Sequence, residues 1–365
     1  MTSTQLNQQN PKSKKSQEIV AVDLFCGVGG LTHGLIESGI KVAAGYDIDE
    51  TCKFSYEANN KGTKFIAADV GNVTPSEIEA FWKDADVRAL VGCAPCQPFS
   101  KHTQKRKDKD KDSRWGLLER FGEHIEQLKP DIVSMENVIG LKKEAVFHSF
   151  MKILKDNGYL IDPRTEVYCP DYGIPQTRKR LVVLASRLGP IKLIPPTHAP
   201  SNYVTVKNII GGLSPLEAGK SDPKDPLHKA QGLGDINLTR MKQSKPGGTW
   251  KDWDPELISP CHTASTGRSY GGVYGRMTWD KPAPTMTTQF YLYGTGRFGH
   301  PEQHRAISLR EGSMLQTFPK NYKFVEPNSQ ITFTKIGRYI GNAVPPKLGE
   351  IIGKSILNHL LEVNK

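Results

Sequence analysis

Long apolar runs are missing from this sequence. No stretch approaches the roughly 18 apolar residues that a membrane-spanning helix needs, so no membrane partner is expected. Cysteine is scarce. The six residues at 26, 52, 93, 96, 169 and 261 lack the spacing of a disulfide framework, which fits a reducing, cytoplasmic setting. Acidic charge is outweighed, with 38 Asp and Glu against 49 Lys and Arg and a net charge of +11. Such a balance favours a polyanionic partner, nucleic acid foremost, although many basic proteins never meet one. Internal repeats are absent. Residues 1–17 lack the apolar segment of a secretory signal and read as a disordered leader, with a basic arm touching DNA as the sharper alternative.

What is present is an alternation. EIVAVDLFC is a short apolar run that ends in a glycine turn, GVGG, and passes into a helical pattern, LTHGLIESG. KVAAGYDID reads as a second strand, CKFSYEANN as a helix, KFIAADV as a third strand and ALVGCAP as a fourth. RFGEHIEQLKP leads as a helix into DIVSMENV; the helix MKILKDNGY and the strand RLVVLASRL follow. This rhythm predicts an α/β domain over 18–194, a doubly wound, mostly parallel sheet with helices on both faces. From about 195 to 305 the texture changes to Gly- and Pro-rich loops with β-prone pieces such as YVTVKNII and FYLYG. That predicts a smaller, irregular, β-rich domain. Residues 306–365 recover helical patterns in SLREGSMLQTF and PPKLGEIIGKSILNHLLEV, which should pack back on the sheet.

Strand, glycine turn and helix in succession make a nucleotide-binding arrangement. Gly27, Gly29 and Gly30 allow close backbone approach, and the helix N-terminus favours an anionic group. Asp47 stands 20 residues after Gly27 at the end of the second strand, where a carboxylate accepts from ribose hydroxyls. A dinucleotide fingerprint would place its third glycine at position 32, which is Thr32, so NAD is disfavoured. The bland reading is a turn that needs glycine for sterics alone. Asp69, ending the third strand, is placed to meet an adenine amino group or simply to cap a turn.

GCAPCQPFS follows the fourth strand and leaves three readings open. Cys93 and Cys96 form a C-x-x-C that could be redox-active or half of a metal site. A structural zinc site lacks a second C-x-x-C, and a zinc deaminase lacks its H-x-E partner, so no metal is expected. The third reading makes Cys96 a nucleophile on a Pro-shaped loop and Cys93 a buried strand residue. It gains from SMENV, which brings Glu136 and Asn137 out on the same sheet edge. A buried Glu beside a nucleophile can protonate or hydrogen-bond a substrate ring. In QTRKR, Arg178 and Arg180 sit two apart at a strand entry, able to hold phosphate or position a base, or else to form a solvated strand end.

The ordered blocks DLFCGVGGL, GYDID, AADV, GCAPCQPFS, DSRWGLL, MENV, QTRKR, LREGSMLQTFP and IGNAVPP run from Asp23 to Pro346. Together they closely resemble the DNA (cytosine-5) methyltransferase family. The resemblance implies a Rossmann-like methyltransferase fold and transfer of a methyl group from S-adenosylmethionine to carbon 5 of a cytosine flipped out of duplex DNA. It implies that Phe25, Gly27, Gly29, Gly30, Asp47, Ile48, Asp69, Val70, Pro95, Leu117, Asn342 and Val344 surround the cofactor. Cys96 would be the nucleophile, with Pro95 and Gln97 shaping its loop; Glu136 would contact the base, Asn137 orient the loop and Arg178 support the base. Arg180 would anchor the site or the DNA, and Arg310 to Pro319 would brace a target-recognition domain at about 195–305.

Between Cys96 and Arg114 the chain has almost no apolar residue. By composition it is a solvated loop; in the family the equivalent stretch closes over DNA, and here Ser100, Lys101, Lys105, Arg106 and Arg114 would grip phosphates. Arg268, Arg276 and Arg297 are candidate groove readers, each also readable as a phosphate contact or surface charge. The resemblance implies double-stranded DNA as partner, a monomer in action, and a cognate restriction endonuclease as a further associate. Two rivals remain: a transfer RNA methyltransferase on the same scaffold, and a non-catalytic DNA-binding regulator. The first lacks its Cys-Phe-Thr element here, and intact Cys96 and Glu136 oppose the second.

Overall fold

The computed structural model describes residues 17–95, 116–264 and 271–365. Outside them fall most of the expected leader, Cys96 and Gln97, the cationic run with Ser100, Lys101, Lys105, Arg106 and Arg114, and Arg268.

Strand β1 (Ile19–Leu24) is buried along its whole length, as a central strand covered on both faces must be. It pairs in parallel with β2 (Lys41–Asp47) on one side and with β4 (Val87–Gly92) on the other. β3 (Lys64–Ala67) extends the parallel sheet beyond β2, and β5 (Ile132–Asn137) extends it beyond β4. Next to β5 lies β8 (Lys179–Ser186), antiparallel, and on β8 pair the short β6 (Leu160–Ile161) and β7 (Glu166–Tyr168). The order β3-β2-β1-β4-β5-β8-β6 therefore reverses between β1 and β4, the switch point at which such sheets bind ligands.

Alternation along each strand feeds two helical layers. Ala21, Ala89 and Val182 meet Leu31 and Leu35 of α1 (Gly30–Ser38) and Leu348, Ile352 and Ile356 of α11 (Pro346–Val363). On the opposite face Val22, Leu90 and Val133 meet Phe121 and Ile125 of α4 (Gly116–Leu128) and Phe147 and Phe150 of α5 (Ala145–Asp156). The carboxyl-terminal helix thus packs back on the sheet. Two small helices, α2 (Lys53–Asn59) and α3 (Pro75–Glu79), complete this half.

Over residues 195–305, which the sequence predicts to be β-rich, the strand content among the described residues is small. It amounts to a ribbon of β9 (Ser221–Asp222) and β10 (Asp225–Lys229) plus isolated bridges. YVTVKNII, expected to be β-prone, supplies α6 (Val206–Ile210), because Thr205 and Asn208 close a capping box that starts a helix. FYLYG, also expected to be β-prone, ends in a 3-10 turn at Tyr293–Thr295. α7 (Asp235–Gln243) and α8 (Pro260–Thr263) border a small aromatic core of Trp250, Trp253 and Tyr293. Ala283 makes an isolated parallel bridge with Gln176, donating to the Pro175 carbonyl at 2.8 Å and accepting from Thr177 at 2.8 Å. α9 (Leu309–Leu315) starts on a Ser308–Glu311 capping box. α10 (Phe333–Asn342) was not anticipated from the sequence.

Candidate active site

At the carboxyl ends of β1 and β4 lies a cavity of about 310 Å³. Of the residues assigned to a cofactor from sequence, Phe25, Gly27, Asp47, Pro95, Asn342 and Val344 line it. The chain leaves β1 through left-handed turns at Phe25 (φ 63°) and Gly27 (φ 50°), a conformation costly for Phe and free for Gly. That turn aims the Gly27 N–H at Asp47 Oδ2, 2.8 Å away, while the Asp49 N–H donates to Oδ1 at 2.9 Å. Burial pushes the Asp47 carboxyl up, and these two N–H groups oppose the shift.

Asp23, at the end of β1, also lines the cavity. Thr32 donates to its Oδ2 at 2.7 Å, and its buried Oδ1 has no partner. Burial pushes this carboxyl up to about 7 despite the Thr32 bond, and the Asp47 charge adds to the rise. A buried polar oxygen in a cavity-lining residue, left without a protein partner, is open to a group on a bound ligand. Across the cavity, Arg338 of α10 pairs with Asp49 at 2.7 Å, and Tyr339 donates to the Thr51 carbonyl at 2.5 Å.

Glu136 lies beside this cavity, buried at the end of β5. The Cys93 thiol donates to its Oε2 at 2.9 Å. Arg180 stands 2.8 Å from Oε1 as an ion pair lacking hydrogen-bond alignment. Asn137 turns to the other side of the strand; its Nδ2 donates to the Ala94 carbonyl at 3.1 Å, and its Oδ1 accepts from the Val138 N–H at 2.8 Å. That bond ties β5 to the loop leading to residue 96. Arg178 is buried and donates to the Met286 carbonyl at 3.1 Å, while the Gln176 amide bridges Leu315, Gln316 and Met286.

With this geometry in hand, the family model for C-5 cytosine-specific DNA methylase matches residues 19–358. The chain belongs to that family. The type II methylase M.HgiDII of Herpetosiphon aurantiacus is 52% identical over 342 residues, covering 93% of this chain and 95% of that protein. The type II methyltransferase M.Eco47II of Escherichia coli is 30% identical, covering 97% of this chain and 82% of that protein. Among solved structures, Entamoeba histolytica methyltransferase EhMeth superposes with a TM-score of 0.67 at 16% identity, over 94% of this chain and 99% of its own.

Several of the methylase's sequence-assigned residues stand apart from the cavity lining. Ile48 is 73% exposed on the loop after Asp47. Gly29 and Gly30 pack at the start of α1, Gly30 against the Val344 carbonyl, and so shape the turn without lining it. Asp69 accepts from the Gly71 N–H at 2.9 Å, and Val70 is buried in the core. Arg120 of α4, the helix of Leu117, donates to the Gly71 carbonyl at 2.8 Å and so ties that helix to the loop after β3.

Two arginines read from sequence as DNA contacts are turned inward. Arg180 faces Glu136 with only 12% of its side chain exposed, because antiparallel β8 sets it on the buried face. Arg276 is buried, its guanidinium spent on the Glu302, Met241 and Gln303 carbonyls, so it braces the fold and reads no base from this position. Arg297 is exposed and stays available. The stretch from Arg310 acts as a brace: Arg310 grips Asp225 at 2.7 and 2.9 Å, and Glu311 is held by the fully buried Arg305. Asp23, Arg338 and the Cys93 contact were missed. Asp23 alone had a local signal, a carboxylate inside an otherwise apolar strand.

Among the described residues, no group of three or more His, Cys, Asp or Glu is arranged to hold a metal, and no helix is long and apolar enough to cross a membrane.

Proposed function

We propose that this methylase takes its methyl group from S-adenosylmethionine and delivers it to carbon 5 of a flipped-out cytosine through a covalent bond to Cys96. The observation that carries this reading is Glu136. A buried carboxylate, held on both oxygens beside the cavity, is the group needed to grip the edge of a cytosine ring.

The residues of the cavity suit the donor. Asp47 would take the ribose hydroxyls, the glycine turn would admit the methionine moiety, and the orphan Oδ1 of Asp23 would accept from a cationic or hydroxyl group. When bound, S-adenosylmethionine supplies an electrophilic methyl group next to the base.

The remaining chemistry falls to the chain. Carbon 5 of cytosine is a poor nucleophile while the ring stays aromatic. The Cys96 thiolate would add to carbon 6, forming a carbon–sulfur bond, while Glu136 hydrogen-bonds or protonates ring nitrogen 3. The electron pair displaced onto carbon 5 would then be free to accept a methyl group, the methyl–sulfur bond breaking and the donor leaving as a neutral thioether. Loss of the carbon 5 proton to a base and expulsion of the thiolate restore the ring. Asn137, through the Ala94 carbonyl, would hold the Cys96 loop, and Arg178 would support the base. Ile48, Asp69, Val70 and Leu117 would close around the adenine end.

Residues 195–305 would read the target sequence, with Arg268 and Arg297 among the groove contacts and the cationic run after Cys96 on phosphates. The type II names of the relatives suit work beside a cognate restriction endonuclease.

The test is direct. Cys96→Ala is expected to abolish methylation while DNA and cofactor binding persist, and Glu136→Gln to slow it by about 10² or more. Duplex DNA with 5-fluorocytosine at the target is expected to become covalently trapped, because the carbon 5 proton is replaced by fluorine. Full turnover by Cys96→Ala, or no trapped complex under methylating conditions, would overturn the reading.

A further inference from the structure

We infer that Cys93 is a positioning residue for methyl transfer, its thiol fixing the carboxylate of Glu136 from the side of the cofactor cavity. The inference rests on the role proposed above for Glu136.

The contact follows from sheet register. β4 and β5 pair in parallel with Gly92 opposite Met135, so the next residue on each strand, Cys93 and Glu136, stand abreast. Side chains abreast in a sheet share a face. β5 pairs with antiparallel β8 so that Glu136 lies opposite Val182, and two residues before Val182 is Arg180 on that same face. The carboxylate is thus held from both neighbouring strands: Cys93 Sγ lies 2.9 Å from Oε2, and Arg180 Nε lies 2.8 Å from Oε1. Burial pushes the nearby Cys169 thiol up; the Arg178 and Arg180 charges oppose the rise and the Glu136 charge adds to it.

Cys93 differs from Arg180 in where it sits. It lines the cavity wall together with Ala94 and Pro95, whereas Glu136 lies behind it. Among the described residues lining that cavity, Cys93 is the one hydrogen-bonded to Glu136. One anchor would leave a carboxylate free to rotate about its own axis. Two anchors, one per oxygen, fix its plane, and a group held in its working orientation before the substrate arrives lowers the barrier for the step it assists. A thiol is a weak donor, so the effect should be moderate and should depend on the donor rather than on side-chain bulk.

Three variants separate donor from volume. Cys93→Ala removes both, Cys93→Val keeps bulk without a donor, and Cys93→Ser keeps a donor. Each is compared with wild type and Glu136→Gln in single-turnover methylation at saturating DNA and S-adenosylmethionine, alongside cofactor Kd, KM for DNA and melting temperature. Cys93→Ala and Cys93→Val are expected to lose about tenfold in rate, with Kd and KM near wild type, and Cys93→Ser to recover most of it. A wild-type rate in Cys93→Val, or a Cys93→Ser as slow as Cys93→Ala, overturns the inference. So does a loss that tracks melting temperature across the three. If Glu136→Gln is itself fully active, the role of Glu136 fails and this inference falls with it; if Glu136→Gln is slow while Cys93→Val is fast, only this inference fails.

Discussion

Asp23 is the side chain whose cost is easiest to measure. Its carboxyl ionises at about 7 in the folded chain, against an ordinary value of 3.8, because burial penalises the charge and Thr32 compensates only in part. Between those values the folded chain keeps a proton that the unfolded chain has released. Stability therefore falls as pH rises from about 4 to about 7 and levels off above. Asp23→Asn removes that dependence. Without cofactor, the drop in melting temperature between about pH 5 and about pH 8 should be smaller in the variant than in wild type; equal drops would mean that Asp23 is already ionised at the lower pH and that burial does not raise it. At this level the sequence is informative where a side chain acts within its own turn, as Asp47 does in accepting from the Asp49 N–H. Cys93 was read as a strand residue because its partner lies 43 positions away.

Among the elements, the closest approach is between α1 and α11. A Cβ at Gly34 would lie 2.0 Å from the Pro346 carbonyl and 2.4 Å from the Glu350 N–H nitrogen, both backbone atoms. Nothing there can swing aside, so the two helices would have to part. Gly34→Ala should cost about 1–3 kcal/mol or more, read as a lower denaturant midpoint with little change in slope, and should weaken cofactor binding because Asn342 and Val344 lead into α11. A stability equal to wild type would contradict the packing. The same dependence on neighbours explains the misread segments. α10 contains Gly337 and Gly341, poor helix formers, and the fold uses them to admit Tyr291 and the Thr287–Thr288 backbone. YVTVKNII carries strand formers, yet its capping box decides for a helix.

Taken together, the molecule carries a charge of +11 toward a polyanion. Six to ten phosphate contacts would cost about 10³-fold or more in affinity between roughly 50 and 200 mM salt. Binding of duplex DNA, followed by fluorescence anisotropy, should fall linearly on a log–log plot of affinity against salt. A flat response would remove the net positive charge from the recognition of DNA. The sequence by itself determined the order of the main strands and helices over 18–194 and the strand ends that carry Asp47 and Glu136, because apolar periodicity and turn chemistry act over a few residues. Only the tertiary structure decided that β8 runs antiparallel, that Arg180 and Cys93 converge on one carboxylate, and that Arg276 is buried. Those outcomes depend on register and packing between segments tens of residues apart, where no local pattern says which partner will be near.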